Sequence, residues 1–265
     1  MTRGKGKSVC MIDLNGKTVL VTGGSRGIGA AIVRATAASG AHVLLHYAKS
    51  RKTAEALREE IGASSCHLIE ADLAVADAAS DLWRKAQAAA PRIDVLVNNA
   101  GIFAPAPISA PMAEWQLSFA QVMQVNLTAP AELCKFAIPH FRKAGGGKII
   151  NIASRAAHRG DAPDQWPYAA SKGALVALTK TIARGYAAEN ILAFAIAPGF
   201  TETDMAYVGM ERSGHKARPV RDSARQHGEC GRDRCSCRLP VHRPGASHDG
   251  CHLRHQWRQL CPLTP

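Results

Sequence analysis

A chain of 265 residues with 46% hydrophobic content is long enough for one large domain with a buried core. No apolar run approaches the roughly 18 residues that a membrane span needs, so no membrane partner is expected. The net charge of +12 would suit a nucleic-acid partner, but it gathers at the two ends: Arg3, Lys5 and Lys7 at the start, and eleven Lys/Arg against five Asp/Glu in residues 211–265. The body carries only a small excess, and no nucleic-acid partner is expected. The basic start lacks the apolar core of a signal peptide, which reads as a cytoplasmic protein.

Taken in order, Lys17–Thr22 is a short apolar strand that runs into Gly23-Gly24-Ser25-Arg26-Gly27-Ile28-Gly29 and then an Ala-rich helix to about Ser39. Strand, glycine turn and helix make a phosphate cradle, because glycines admit a close backbone approach and a helix N-terminus presents amides and partial positive charge. Ala41–His46 is the second strand. An acid at its end would favour NAD, but the chain reads Tyr47-Ala48-Lys49-Ser50-Arg51 there. With Arg26 in the turn, this basic cluster suits the 2′-phosphate of NADP, and NAD is the less favoured cofactor. Cys66–Ala71 is the third strand, followed at its ligand edge by Asp72 and Leu73. Asp72 either bonds an adenine amino group or caps the next helix, at about 76–90. Ile93–Asn98 is the fourth strand and leads into Asn99-Ala100-Gly101, small residues that leave room for a nucleotide.

A long helical stretch covers about Met112 to Ala144, with kinks or breaks expected at Pro130 and Pro139. Asn126 within it is a poor helix former that either bends the helix or holds a water. Lys148–Ala153 is the fifth strand and ends at Ser154, which places a hydroxyl at a carboxyl edge. Tyr168 and Lys172, four apart, share one face of a helix that runs to about Ala188. An ammonium beside a phenol favours the phenolate, so Lys172 is expected to lower the Tyr168 pKa from about 10 and fit it for proton transfer near neutrality. Ile191–Ala197 is the sixth strand, broken by Pro198 and Gly199, and Thr201–Met205 begins a short segment over the site. Strands alternating with helices predict an α/β fold, a doubly wound parallel sheet with helices on both faces.

These residues resemble the short-chain dehydrogenase/reductase family across roughly 12–210. Thr22–Gly29 looks like its cofactor turn, Asn98–Gly101 like its sheet-stabilising motif, and Asn126, Ser154, Tyr168 and Lys172 like its catalytic tetrad. The resemblance implies a single-domain Rossmann fold. It also implies hydride transfer between NADP(H) and a small-molecule carbonyl or secondary alcohol, and a family-type homodimer or homotetramer. Tyr168 would be general acid or base, Ser154 would orient the reacting oxygen, Lys172 would lower the Tyr168 pKa and bond the nicotinamide ribose, and Asn126 would hold a water. The candidate cofactor contacts are Gly23, Ser25, Arg26, Ile28, Gly29, Lys49, Ser50, Asp72, Leu73, Asn98, Ala100, Gly101, Tyr168, Lys172, Pro198, Gly199, Thr201 and Thr203. The chain is most similar to the 3-oxoacyl-acyl-carrier-protein reductase-like members, but it departs from them at His158–Trp166 beside the substrate entrance.

After about Met210 the pattern stops, and residues 211–265 show little periodicity, so they read as an aberrant tail without regular structure, behind a basic leader at 1–11 and the nucleotide-binding domain at 12–210. Five of the eight cysteines lie from Cys230 onward, without Cys-x-x-Cys pairs, and no metal site is expected. A one-base shift of frame explains the tail better. Codons possible for His248–Arg258 can then encode Thr-Thr-Gly-Ala-Thr-Phe-Asp-Ile-Asn-Gly, which resembles the family's last strand, and those for Asp222–Gly228 can encode Thr-Pro-Leu-Gly-Asn-Met-Ala. A stop codon can fall across Leu263 and Thr264. On this reading the last strand is missing from the chain as written, and Met11 is the expected start.

Overall fold

The computed structural model describes residues 13–199; Thr201, Thr203, the leader at 1–11 and the tail at 211–265 lie outside the described residues. The elements are β1 (Thr18–Val21), α1 (Gly27–Ala38), β2 (His42–Tyr47), α2 (Arg51–Ile61), β3 (Cys66–Glu70), α3 (Ala78–Ala89), β4 (Val95–Asn98), α4 (Met112–Met123), α5 (Ala129–Lys143), β5 (Gly147–Ile152), α6 (Ala156–Arg159), α7 (Trp166–Tyr186) and β6 (Ile191–Ile196). Six parallel strands lie in the order β3-β2-β1-β4-β5-β6. The winding reverses between β1 and β4, and the carboxyl edge at such a switch point is where ligands bind in open α/β sheets.

The strands are apolar on both faces because helices cover both faces. Leu20, Leu44, Leu96 and Ile149 pack against Leu82 of α3, Leu133 and Phe141 of α5 and Ile182 of α7. The alternate residues, Val19, Val21, Val43, Leu45 and Val97, pack against Val33 of α1 and Leu57 of α2. Among the described residues no helix is long and apolar enough to cross a membrane.

The long helix expected over 112–144 is interrupted: a π turn at Gln124–Thr128 separates α4 from α5 and carries Asn126 at its centre. Pro130 falls in the first turn of α5, where its missing N–H costs nothing. At Pro139, where a kink or break was expected, the helix does not break; α5 runs through it to Lys143. Pro139 and Lys135, the residue whose carbonyl loses its partner, both lie on the exposed face, open to solvent. The short helix α6 was not anticipated.

Where α5 turns into β5, Gly147 sits against the Phe141 ring so closely that a Cβ would collide with it, and Phe141 is fully buried. Gly147→Ala is therefore expected to destabilise the fold by about 1–3 kcal/mol through overpacking, read as a lower denaturant midpoint. An unchanged midpoint would show that the ring has room to move.

Candidate active site

The glycine turn is fastened to the end of β4. Thr22, buried at the end of β1, donates its hydroxyl to the Val97 carbonyl (3.3 Å) and accepts from the backbone N–H groups of Asn99 (2.9 Å) and Ala100 (3.0 Å). Asn99 Nδ2 donates to the Thr22 and Gly23 carbonyls at 2.9 and 3.0 Å. Gly23 adopts φ 62°, a left-handed conformation, with Ala100 so near that a Cβ would stand 2.9 Å from its Cα. Gly29, in the first turn of α1, packs on the Gly23 carbonyl; its Cβ would overlap that oxygen and lie 2.6 Å from Asn99 Nδ2. Arg26 stands at the N-cap of α1, and its side chain makes no capping hydrogen bond to the first turn. That combination, a smooth turn ahead of a helix N-terminus, fits a pyrophosphate. Ser25 is buried and Ile28 half-buried in the same turn.

At the end of β2 the exposed Lys49 precedes Ser50, the N-cap of α2, while Arg51 Nε donates to Glu55 Oε1 at 2.9 Å. No carboxylate occupies positions 48–50. Asp72 does not cap α3, whose N-cap is Asp77; its Oδ1 accepts instead from Ala74 N–H (3.1 Å), tightening the turn after β3. Leu73 turns its side chain into the core beneath. Asn98 also turns inward: its Nδ2 donates to Asn151 Oδ1 (2.8 Å), and Asn151 Nδ2 donates to Thr179 Oγ1 (2.8 Å). These bonds tie β4 and β5 to α7 beneath the site, leaving the Asn98 backbone rather than its side chain at the edge.

The structure brings Ser154, Tyr168 and Lys172 together beside this turn. Ser154 Oγ accepts from Ala156 N–H at 3.2 Å, and the Ser154 side chain lies near enough to the Tyr168 phenol to favour its ionised form. Phe103 stands edge-on to the Tyr168 ring at 5.0 Å. Lys172 is buried, donates to the Ile152 carbonyl (2.8 Å), and holds its ammonium 5.8 Å from the centre of the Tyr168 ring. Gly101 lies between these groups, and a Cβ there would meet Asn126 Oδ1 at 3.4 Å and Lys172 Nζ at 3.5 Å, ordinary contact distances.

The expected lowering of the Tyr168 pKa is not what this geometry gives. Burial lifts the phenol above its ordinary value; the nearby Ser154 side chain pulls it down and Asp161 adds to the rise. Burial acts on Lys172 in the opposite direction, pushing it down to about 8. Sequence spacing reports that two side chains share a face; it does not report that both are desolvated.

Asn126 is wholly buried, and its side chain is a tie. Oδ1 accepts from Ile102 N–H (2.8 Å), while Nδ2 donates to the Ile102 carbonyl (3.0 Å) and to Ser171 Oγ (3.2 Å). Ser171, missed in the sequence, donates in turn to the Tyr168 carbonyl (2.8 Å), so the π turn is anchored to the helix that carries the tyrosine. A small polar residue one turn after Tyr168 was the available signal. Pro198 and Gly199 follow β6 at the same carboxyl edge. Among the described residues no group of three acidic, histidine or cysteine side chains could hold a metal ion.

Comparison with known proteins follows this geometry. Residues 17–212 match the model of the family described as short chain dehydrogenase. The chain is 39% identical over 199 residues to the 3-oxoacyl-[acyl-carrier-protein] reductase of Synechocystis sp., covering 74% of this chain and 78% of the relative. It is also 39% identical over 202 residues to 3beta-hydroxysteroid dehydrogenase 1 of Eggerthella lenta, covering 72% and 73%. A crystal structure of the 3-oxoacyl (acyl-carrier-protein) reductase of Agrobacterium tumefaciens with NADP bound superposes with a TM-score of 0.68 at 33% identity, covering 77% of this chain and 78% of that one. The corresponding Brucella melitensis reductase, complexed with NADH, gives 0.67 at 30% identity, covering 74% and 80%.

Proposed function

The chain belongs to the short-chain dehydrogenase/reductase family, a family of NAD(P)-dependent oxidoreductases, and from that membership we propose that it is an NADP(H)-dependent enzyme acting on a carbonyl or secondary alcohol, with Tyr168 as the proton-transfer group. The observation that carries this reading is the grouping of Ser154, Tyr168 and Lys172 at the switch-point edge, with the buried Lys172 ammonium 5.8 Å from the centre of the Tyr168 ring and bonded to the Ile152 carbonyl. A bound nicotinamide nucleotide supplies the hydride donor or acceptor. The Gly23–Gly29 turn and the amides of α1 receive its pyrophosphate, with Ser25, Arg26, Ile28, Lys49 and Ser50 toward the 2′-phosphate end. Asp72 and Leu73 border the adenine, and Ala100, Gly101, Tyr168, Lys172, Pro198 and Gly199 border the nicotinamide half.

Tyr168 donates its proton to the carbonyl oxygen in reduction. Its raised pKa keeps it protonated at neutral pH, which is the competent form for that direction. Ser154 holds the oxygen within reach of the phenol, and Phe103 walls the ring into one orientation. The test is NADPH consumption at 340 nm against acetoacetyl thioesters, cyclic ketones and a 3-oxosteroid, since the relatives include enzymes named for acyl-carrier and steroid substrates. Turnover of none of these classes would contradict the reading.

The choice of NADP rests on the basic residues at the end of β2, and NADP-bound neighbours support it. Lys49→Glu is expected to weaken NADPH binding by about tenfold or more, because repulsion replaces a charge-assisted phosphate contact, while NADH affinity changes by less than about threefold. Equal losses for both nucleotides would place the 2′-phosphate elsewhere.

A second reading, a nucleotide-binding protein impaired in turnover, follows from residues 211–265 as written. We propose that these residues are read one base out of frame. The end of the family match at residue 212 supports this, as do the two family-like strings that a one-base shift can restore. Reading the coding DNA tests it; codons incompatible with those strings would sink the idea.

A further inference from the structure

One buried imidazole stands between the glycine turn and the turn after β3. His46, in β2, is 2% exposed. Its Nδ1 accepts from the Gly23 backbone N–H at 3.0 Å, and its Nε2 lies 2.9 Å from the Ala71 carbonyl oxygen. A backbone N–H can only donate and a carbonyl can only accept, so the two partners fix one tautomer: bare Nδ1, protonated Nε2. Burial supports this by pushing the pKa of the imidazole down to about 4, which keeps it neutral.

The placement is particular. The β1–β2 ladder ends at Val21 and Leu45, one residue before the glycine turn. Beyond that point His46 takes over, holding Gly23 N–H with its ring and Gly24 N–H with its own carbonyl (2.8 Å). On its other side, Ala71 donates to the Tyr47 carbonyl (3.1 Å) and accepts from the same ring. Gly23, without a Cβ, has many conformations open to it when unfastened.

We infer that His46 is a positioning residue for the nucleotide: its neutral imidazole bridges the first glycine of the phosphate turn to Ala71 and holds the two turns at the spacing that the adenosine end of the cofactor requires. This rests on the reading of the site as a nicotinamide-nucleotide site. A turn that holds the binding geometry only part of the time weakens affinity by the inverse of that fraction. The effect falls on cofactor binding and not on the chemistry at Tyr168.

Three variants of the full chain separate the two bonds. His46→Asn keeps an acceptor where Nδ1 stands but cannot reach Ala71. His46→Gln reaches toward Ala71 but leaves Gly23 N–H unmet. His46→Leu removes both. For the NADPH dissociation constant, followed by nicotinamide fluorescence, the asparagine variant is expected to stay within about threefold of the parent, while glutamine and leucine raise it by about tenfold or more. KM for NADPH should follow the same order with kcat at saturating nucleotide changed less than about twofold. Asparagine and glutamine each delete one bond, so a merely structural role predicts equal losses of thermal stability and equal losses of affinity. A glutamine variant that binds like the parent, an asparagine variant as weak as glutamine, or a fall confined to kcat would overturn the inference. A parent chain that binds neither NADPH nor NADH would overturn the nucleotide reading and this inference together.

Discussion

Replacing Tyr168 with phenylalanine is expected to lower turnover by about 10²–10⁴-fold, the share of catalysis that a positioned acid or base supplies, while NADPH affinity stays within about threefold. The ring keeps its edge-on contact with Phe103, so the fold and the nicotinamide wall persist while the proton donor is lost. The pH dependence carries the sign of the shift. Burial raises the Tyr168 pKa, so the phenol stays protonated through neutrality. Carbonyl reduction should hold its rate from mildly acid pH into the alkaline range, whereas alcohol oxidation, which needs the phenolate, should still be climbing beyond the ordinary tyrosine value of about 10. Steady-state kcat/KM in both directions reads this. A phenylalanine variant with parental turnover would remove Tyr168 from the chemistry, and an oxidation rate that levels off below about pH 10 would contradict the shift.

Lys172→Met is the second large effect: turnover falls by about 100-fold or more, and the alkaline stability of the protein changes character. The lysine titrates at about 8 in the fold and at 10.5 as an unperturbed side chain. Below pH 8 it is protonated in both states, and the cost of burying its charge is fully present. Between about 8 and 10.5 the folded protein has released the proton and the unfolded chain still binds it, so stability rises with pH. Above 10.5 the cost is gone. Across that window the parent should gain about 3 kcal/mol relative to the methionine variant. Cys66 and Cys134, pushed up by burial to about 11 and about 12, act in the opposite sense, but both chains contain them and their effect cancels in the difference. Loss of the bond to the Ile152 carbonyl adds a constant offset without a slope. Denaturant midpoints of both chains from pH 7 to 11 measure the difference; parallel curves would mean that Lys172 keeps its full charge when buried.

Much of the architecture was legible because parallel strands covered on both faces leave apolar runs, such as Val43–Leu45 and Ile191–Ile196, set between helical periods. The glycine turn was legible for a steric reason: Gly23 and Gly29 stand where no side chain fits. The edges of that legibility are physical too. A π turn adds one residue to a helix, and nothing in the pattern around Asn126 marks it. Pro139 reads as a breaker, yet it is tolerated on the solvent face of α5. Asp72 offered two roles from its position alone; the structure excludes the helix cap and leaves the carboxylate in a turn at the edge. His46 reads as one more member of a strand, since only the folded chain shows two partners for its ring nitrogens. The direction of the Tyr168 shift was misjudged because the i,i+4 spacing gives proximity to Lys172 but not the burial that outweighs it.

The central claim is that the glycine turn, the basic end of β2 and the Tyr168 pocket form one NADP(H) site. Titrating the purified full chain with NADPH and with NADH, followed by nicotinamide fluorescence, tests it most directly. The account predicts saturable NADPH binding, with NADH weaker by about tenfold, the worth of a 2′-phosphate contact of 1.4 kcal/mol. Saturation with neither nucleotide would contradict it.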